Sequence, residues 1–247
     1  MYKFSALFLF SMVFASLSFA QTSTVYVYGP GGPFTAINEC AKAFTAKTHI
    51  PVKVIAGPEL KWIRQAIQNA DIIYGGAEYM LTQFSENHPG MLDQLTRTGL
   101  YRRAAAILVR PGNPKNIQSL KDLAGPGISL LDVNGAGQLG LWEDLAGRHD
   151  LIELIQKNIA GSFKNTALAI DAWNEDTHYD AWITYASWHQ NLKESTQLIS
   201  LPADLSLYRG TPIAITVRTK NGIQASQFLA YLKSPAGHAI FKIWGWE

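Results

Sequence analysis

One cysteine, Cys40, occurs in 247 residues, so no internal disulfide can brace the chain. Beyond residue 20 no apolar run approaches the roughly twenty residues a membrane span requires. Charge is sparse and nearly balanced, 21 basic against 19 acidic residues, with neither basic runs nor heptads. Nothing in that distribution offers a footprint for nucleic acid or a coiled-coil partner. Catalytic signatures are missing as well. There is no Gly-x-Ser-x-Gly elbow to present a nucleophile and no Gly-x-x-x-x-Gly-Lys-Ser/Thr loop to hold a nucleotide. The six histidines are scattered without a His-x-x-x-His pair for zinc. The run Gly29-Pro30-Gly31-Gly32 lacks dinucleotide-loop spacing, and the candidate acid Asp71 lies about forty residues on rather than about twenty. These absences lead to the expectation of a protein that is no enzyme and carries neither cofactor nor metal.

What is present begins with a leader. Lys3 gives a basic start, Ala6 to Leu17 is apolar apart from two serines, and Ser18-Phe19-Ala20 supplies small residues for cleavage after Ala20. Export to the periplasm follows as an expectation. The remaining chain alternates β-rich runs with amphipathic helical patterns, the signature of an α/β fold with parallel strands. Strands are expected at 24–28, 52–56, 71–74, 103–110, 128–133, 181–185 and 212–217. Helices are expected at 34–47, from Leu60 to Ile67, at 138–146, at 223–232 and at 235–243. Ala36, Ile37, Cys40 and Phe44 recur three to four residues apart, which places the cysteine on a buried face.

Three strand–glycine turn–helix units could receive a ligand: Gly31-Gly32 with Pro33, Gly57-Pro58, and Gly135-Ala136-Gly137 with Gln138 opening the next helix. In open sheets ligands sit beyond the carboxyl ends of the parallel strands. Helix starts there offer free N–H groups and partial positive charge, which suits anions. Glycine lets that backbone come close.

Longer motifs make the pattern specific. Tyr28-Gly-Pro-Gly-Gly-Pro33, Asp71-Ile-Ile-Tyr-Gly-Gly-Ala-Glu78, Val133-Asn-Gly-Ala-Gly-Gln-Leu-Gly-Leu-Trp-Glu-Asp144 and Asp180-Ala-Trp-Ile-Thr-Tyr185 occur in order. With the closing Leu232 to Trp246 they resemble the accessory colonization factor C family, a branch of the type II periplasmic binding proteins related to molybdate- and sulfate-binding proteins. The resemblance implies two lobes, each a mixed, mostly parallel sheet flanked by helices. Lobe one would take residues 24–103 and 209–247, lobe two 104–208, with a two-crossover hinge near Arg103 and Arg209. It implies capture of a small anion, a sulfate-like oxyanion or small organic carboxylate, by a monomer that serves an inner-membrane ABC permease or a chemoreceptor.

The resemblance also implies ligand-facing positions at Gly32, Gly57-Pro58, Gly135 to Gln138, Asn165 and Tyr185. Where related molybdate binders carry serine hydroxyls, this chain has Gly32 and Gly57-Pro58, so the vacated volume implies a larger anion or one held by N–H groups alone. Arg103 and Arg209, at the crossings, could fork onto a ligand oxyanion or form ion pairs within the protein. Glu78 could meet a ligand ammonium or hold Arg103. Among the tryptophans Trp142, one helical turn past Gln138, is the best candidate for a ligand wall, ahead of Trp62 and Trp182.

Overall fold

The computed structural model describes residues 23–247, so the leader and its cleavage site lie outside the described residues. The chain runs first through β1 (Val25–Gly29), α1 (Phe34–Thr48), β2 (Val52–Ala56), α2 (Glu59–Asn69), β3 (Ile72–Tyr74) and α3 (Glu78–Asn87). A long strand, β4 (Thr98–Val109), leads into β5 (Leu130–Val133), α4 (Leu141–Ala146), α5 (Ile152–Asn158), β6 (Ile159–Phe163) and α6 (Thr166–Glu175). Then come β7 (Ala181–Tyr185), α7 (Ala186–Asn191), β8 (Gln197–Ser200), the returning β9 (Tyr208–Ile215), α8 (Gly222–Leu232) and α9 (Pro235–Ile243).

The strands join in the order β2-β1-β3-β9-β4-β7-β5-β6, with β8 also paired to β4. The outer pairs, β1 with β2 and β3 and β5 with β6 and β7, are parallel. The centre is antiparallel, where β9 meets β3 and β4 and where β4 meets β7 and β8. Parallel strands therefore hold the flanks rather than the whole sheet. The architecture is a mixed sheet flanked by helices.

Burial follows the sequence pattern closely in α1, where Ala36, Ile37, Cys40 and Phe44 all face the core. It departs from the pattern in α2. Leu60 is 91% exposed and Ile67 51%, because the helix turns Trp62 and Ala66 inward instead. Trp62 anchors that orientation by donating its indole N–H to Gly57 O and by packing on Tyr28 and Phe84. The strand expected to start at Arg103 begins five residues earlier. Its two arginines alternate across the sheet: Arg102 lies exposed over the Tyr208 ring, and Arg103 turns into the interior.

Apolar packing divides at β4 and β9. One buried cluster draws its residues from Ala105 to Leu205. The other two draw theirs from Val25 to Leu92 and from Ile213 to Trp246. Arg103 and Arg209 are register partners where the strands pass between these cores.

Cys40 is wholly buried with its Sγ 3.8 Å from Gly237 O, and burial pushes its thiol pKa up to about 12. A thiol reagent at pH 8 should leave the folded protein unlabelled and should label Cys40 fully in denaturant. Rapid labelling of the native protein would show that the α1 face opens.

Candidate functional site

Arg103 is the largest polar side chain in the interior, 1% exposed, and among the described residues no carboxylate lies within ion-pair distance of it. Its Nη2 donates to Gly76 O at 2.5 Å, its guanidinium lies 3.8 Å above the Tyr185 ring, and its Nε has no acceptor. Burial lowers its pKa below the ordinary value, against the opposing pull of Tyr185 and Tyr79, yet arginine stays charged.

Glycine makes the room for this cation. A Cβ on Gly32 would lie 2.9 Å from Nη1, and one on Gly137 would lie 2.9 Å from Nη2 and 3.1 Å from Gly76 O. The space beside Gly32 that the sequence suggested for a larger anion is therefore occupied by the guanidinium itself. Gly137 also spans the two cores. Its N–H donates to Tyr79 Oη of α3 at 3.0 Å, and its carbonyl accepts from Tyr185 Oη at 2.5 Å.

Next to Gly32 a cavity of about 340 Å³ opens between the cores. Residues of the N-terminal strands and helices on its wall include Pro30, Gly31, Gly32, Gly57, Pro58, Glu59, Trp62, Tyr74, Met80 and Phe84. Ala136, Lys164, Asn165, Thr166, Ala167, Ile170 and Trp188 close it from the other side. Three helix starts meet there: α1 after Pro33, α2 after Pro58 and α6 after Asn165. Each helix start carries partial positive charge, while Phe34 N–H is spent on Gly31 O, Lys61 N–H on Pro58 O and Leu168 N–H on Asn165 Oδ1. The charged residues on the wall are Glu59, bound to His88 Nε2 at 2.7 Å, and Lys164.

Of the positions expected from sequence, Gly31, Gly32, Gly57, Pro58, Ala136 and Asn165 reach the wall. Pro33, Gly135, Gly137 and Gln138 stand behind it. Gly135 to Gln138 do not start a helix, because Gly135, Ala136, Gly137 and Gly140 all have positive φ (151°, 48°, 86° and 68°), which delays α4 to Leu141. Gln138 donates to Thr166 Oγ1 at 3.1 Å. Asn165 caps α6 by accepting from Leu168 N, so its Oδ1 is already spent. Tyr185 faces Arg103 rather than the cavity.

Two expected partners are elsewhere. Glu78 does not hold Arg103; it binds Arg97 at 3.0 Å from the exposed start of α3. Arg209 binds Asp144 at 2.5 Å, so the second crossing arginine is paired within the protein. Trp142 packs half-buried against the second core, and Trp182 lies wholly inside it. Sequence reasoning missed Trp188 because α7 went unread, and Lys164 and Thr166 because α6 did. Its signal was there: Asn165 as cap, then Thr166, Ala169 and Trp173 buried at helical spacing.

A model of bacterial extracellular solute-binding proteins matches residues 25–247. The solved structure of L-phospholactate-bound PEB3 is similar at 31% identity over 90% of this chain and 99% of that chain, TM-score 0.84. PEB3 from Campylobacter jejuni superposes at TM-score 0.82 with the same identity and coverage. The sulfate-binding protein SubI from Mycobacterium tuberculosis H37Rv shares the fold at 18% identity, 91% and 86% coverage and TM-score 0.74. So does the Azotobacter vinelandii periplasmic molybdate-binding protein, at 16% identity, 90% and 98% coverage and TM-score 0.68. Comparison with curated protein sequences yields no significant match.

Gly137→Ala should cost about 1–3 kcal/mol, since it combines a strained φ with a clash on Arg103 and Gly76. Gly31→Ala, whose Cβ would meet nothing within 4 Å, should change stability by less than about 0.5 kcal/mol. Denaturant titration of both variants checks this, and equal losses would show that the glycine packing around Arg103 is immaterial.

Proposed function

The chain belongs to the bacterial extracellular solute-binding proteins, a family of binding proteins rather than enzymes, and from that premise we propose that it captures a small organic anion in the periplasm for delivery to an ABC importer. The observation that carries this reading is the buried, acid-free guanidinium of Arg103 immediately behind the cavity wall at Gly32. An anion seated there would meet the field of Arg103 across Gly32, the partial positive charge of the α1, α2 and α6 starts, and Lys164 on the wall.

Cavity size and lining favour an organic anion over a bare oxyanion. About 340 Å³ exceeds what a tetrahedral oxyanion fills, and Trp62, Phe84, Met80 and Ile170 offer nothing to additional oxygens. PEB3, at 31% identity, has been solved with L-phospholactate, an anion with an organic body.

Residues 24–103 with 209–247 and residues 104–208 would act as two lobes hinged at β4 and the start of β9. Supporting this, the apolar clusters separate at those strands. The polar contacts Tyr79–Gly137 and Arg209–Asp144 bridge the parts without a shared core. Opening would withdraw the Gly137 turn and bring Arg103 into reach of solute, and closure would trap it.

Thermal unfolding of the protein against L-phospholactate, dicarboxylates, sulfate and molybdate tests the reading. A matching organic anion at about a hundred times its Kd should add about 2.7 kcal/mol of stability, with sulfate and molybdate well behind. No shift with any anion would sink the proposal.

A further inference from the structure

Two side chains on the cavity wall carry buried polar atoms that nothing in the protein satisfies. Tyr74, at the end of β3, is 1% exposed, and Trp188, in α7, is 9% exposed. Among the described residues neither Tyr74 Oη nor Trp188 Nε1 has a hydrogen-bond partner. Buried tyrosine hydroxyls and indole N–H groups usually find one, because leaving such a donor unmade is costly. Trp62, Trp173 and Trp246 do so, donating to Gly57 O, Ser195 O and Thr211 Oγ1. Trp182 keeps an idle Nε1 as well, but inside the second core and away from the wall.

Both wall groups border the turn that opens α1. The Nε1 edge of the Trp188 indole faces it: Cζ2, two bonds from Nε1, lies 3.8 Å from where a Cβ on Gly32 would stand. The ring carbon that bears the Tyr74 hydroxyl lies 2.6 Å from the corresponding point on Gly29. Arg103 Nη1 approaches the Gly32 point at 2.9 Å. Two idle donors and a buried cation therefore border Gly29-Pro30-Gly31-Gly32, where the 15-residue helix α1 adds partial positive charge. Burial pushes the Tyr74 phenol up, so it stays protonated and able to donate. Tyr74 packs in the cluster that holds Val25 and Trp246, and Trp188 in the cluster of Ala105 to Leu205, so one donor comes from each core.

We infer that Tyr74 Oη and Trp188 Nε1 donate to oxygens of the solute's anionic head at the Gly29-Pro30-Gly31-Gly32 turn, so that the bound anion ties the two cores together. The inference rests on the anion-binding reading above and gives the anion an address and an orientation. Its head lies beside Gly32, and its body runs toward Trp62 and Phe84 near the Gly57 turn, where the wall is apolar. An indole N–H has no lone pair to offer, so this end favours oxygens that carry no proton. Both polar atoms are covered in this conformation, as Arg103 is, and the separation of the cores proposed above would uncover them for solute.

Calorimetric titration with L-phospholactate, alongside denaturant unfolding of the free proteins, tests this on two variants. Tyr74→Phe should leave the free protein as stable as the parent or more so, yet weaken binding about tenfold. Replacing Trp188 by benzothienylalanine keeps the ring's shape and removes only the N–H, and it should likewise weaken binding about tenfold in a folded protein. The indole nitrogen–proton resonance of Trp188, assigned by its absence from Trp188→Phe, should move downfield as L-phospholactate binds. Full affinity in either variant would overturn the inference, which needs a donor from each core. So would an indole resonance that does not respond to bound L-phospholactate. Failure of the unsubstituted protein to bind L-phospholactate or any other anion would instead refute the underlying function.

Discussion

A charged guanidinium enclosed by protein is costly unless an opposite charge or a full set of acceptors meets it. Arg103 has one carbonyl acceptor, an aromatic face and an idle Nε. Much of the local structure exists to permit that arrangement. Gly32 and Gly137 leave out the side chains that would collide with it, and Gly76 brings its carbonyl to Nη2. Tyr185 supplies the ring beneath it while its hydroxyl secures the Gly137 turn. The two crossing arginines are register partners, yet Arg209 is neutralised by Asp144 and Arg103 is not. Within a solute-binding protein, such an unspent charge fits the proposed capture of an anionic solute.

The division of the packing fits the same purpose. Large apolar clusters resist separation, whereas isolated polar contacts between them can break and re-form at small cost. Here the clusters stop on either side of β4 and β9, and polar contacts such as Tyr79 Oη with the Gly137 turn and the partly exposed Arg209–Asp144 pair cross between them. The antiparallel centre of the sheet also lets the chain pass between cores twice on adjacent strands.

Much of this was legible in the sequence because periodicity and glycine punctuation are local signals. The α1 face, β2, β7, α9 and the glycine turns at 31–32 and 57–58 follow directly from them, and the long motifs conveyed the family. What escaped depends on three-dimensional company. A helix carrying Leu60, Trp62, Ile63 and Ile67 was expected, but which of its apolar residues face the core is decided by Trp62 and Ala66 packing inward. Gln138 looked like a helix start because positive φ at Ala136 and Gly140 has no reliable residue signature. Glu78 and Arg103 looked like partners, but Arg97, far along the chain from Glu78, takes that carboxylate. The missing hydroxyl at Gly32 suggested empty volume, and only the fold shows an arginine filling it.

The central claim, that Arg103 is held as a counter-charge for solute and not as a brace, is tested most directly by Arg103→Met in unfolding measurements with and without saturating L-phospholactate. The account predicts that the free variant is as stable as the parent or more so, because an underpaired buried charge gives way to an apolar side chain of similar reach. It also predicts that the ligand-induced gain disappears. A free variant weakened by several kcal/mol that still gains its full ligand-induced stability would make Arg103 a structural brace and contradict the account.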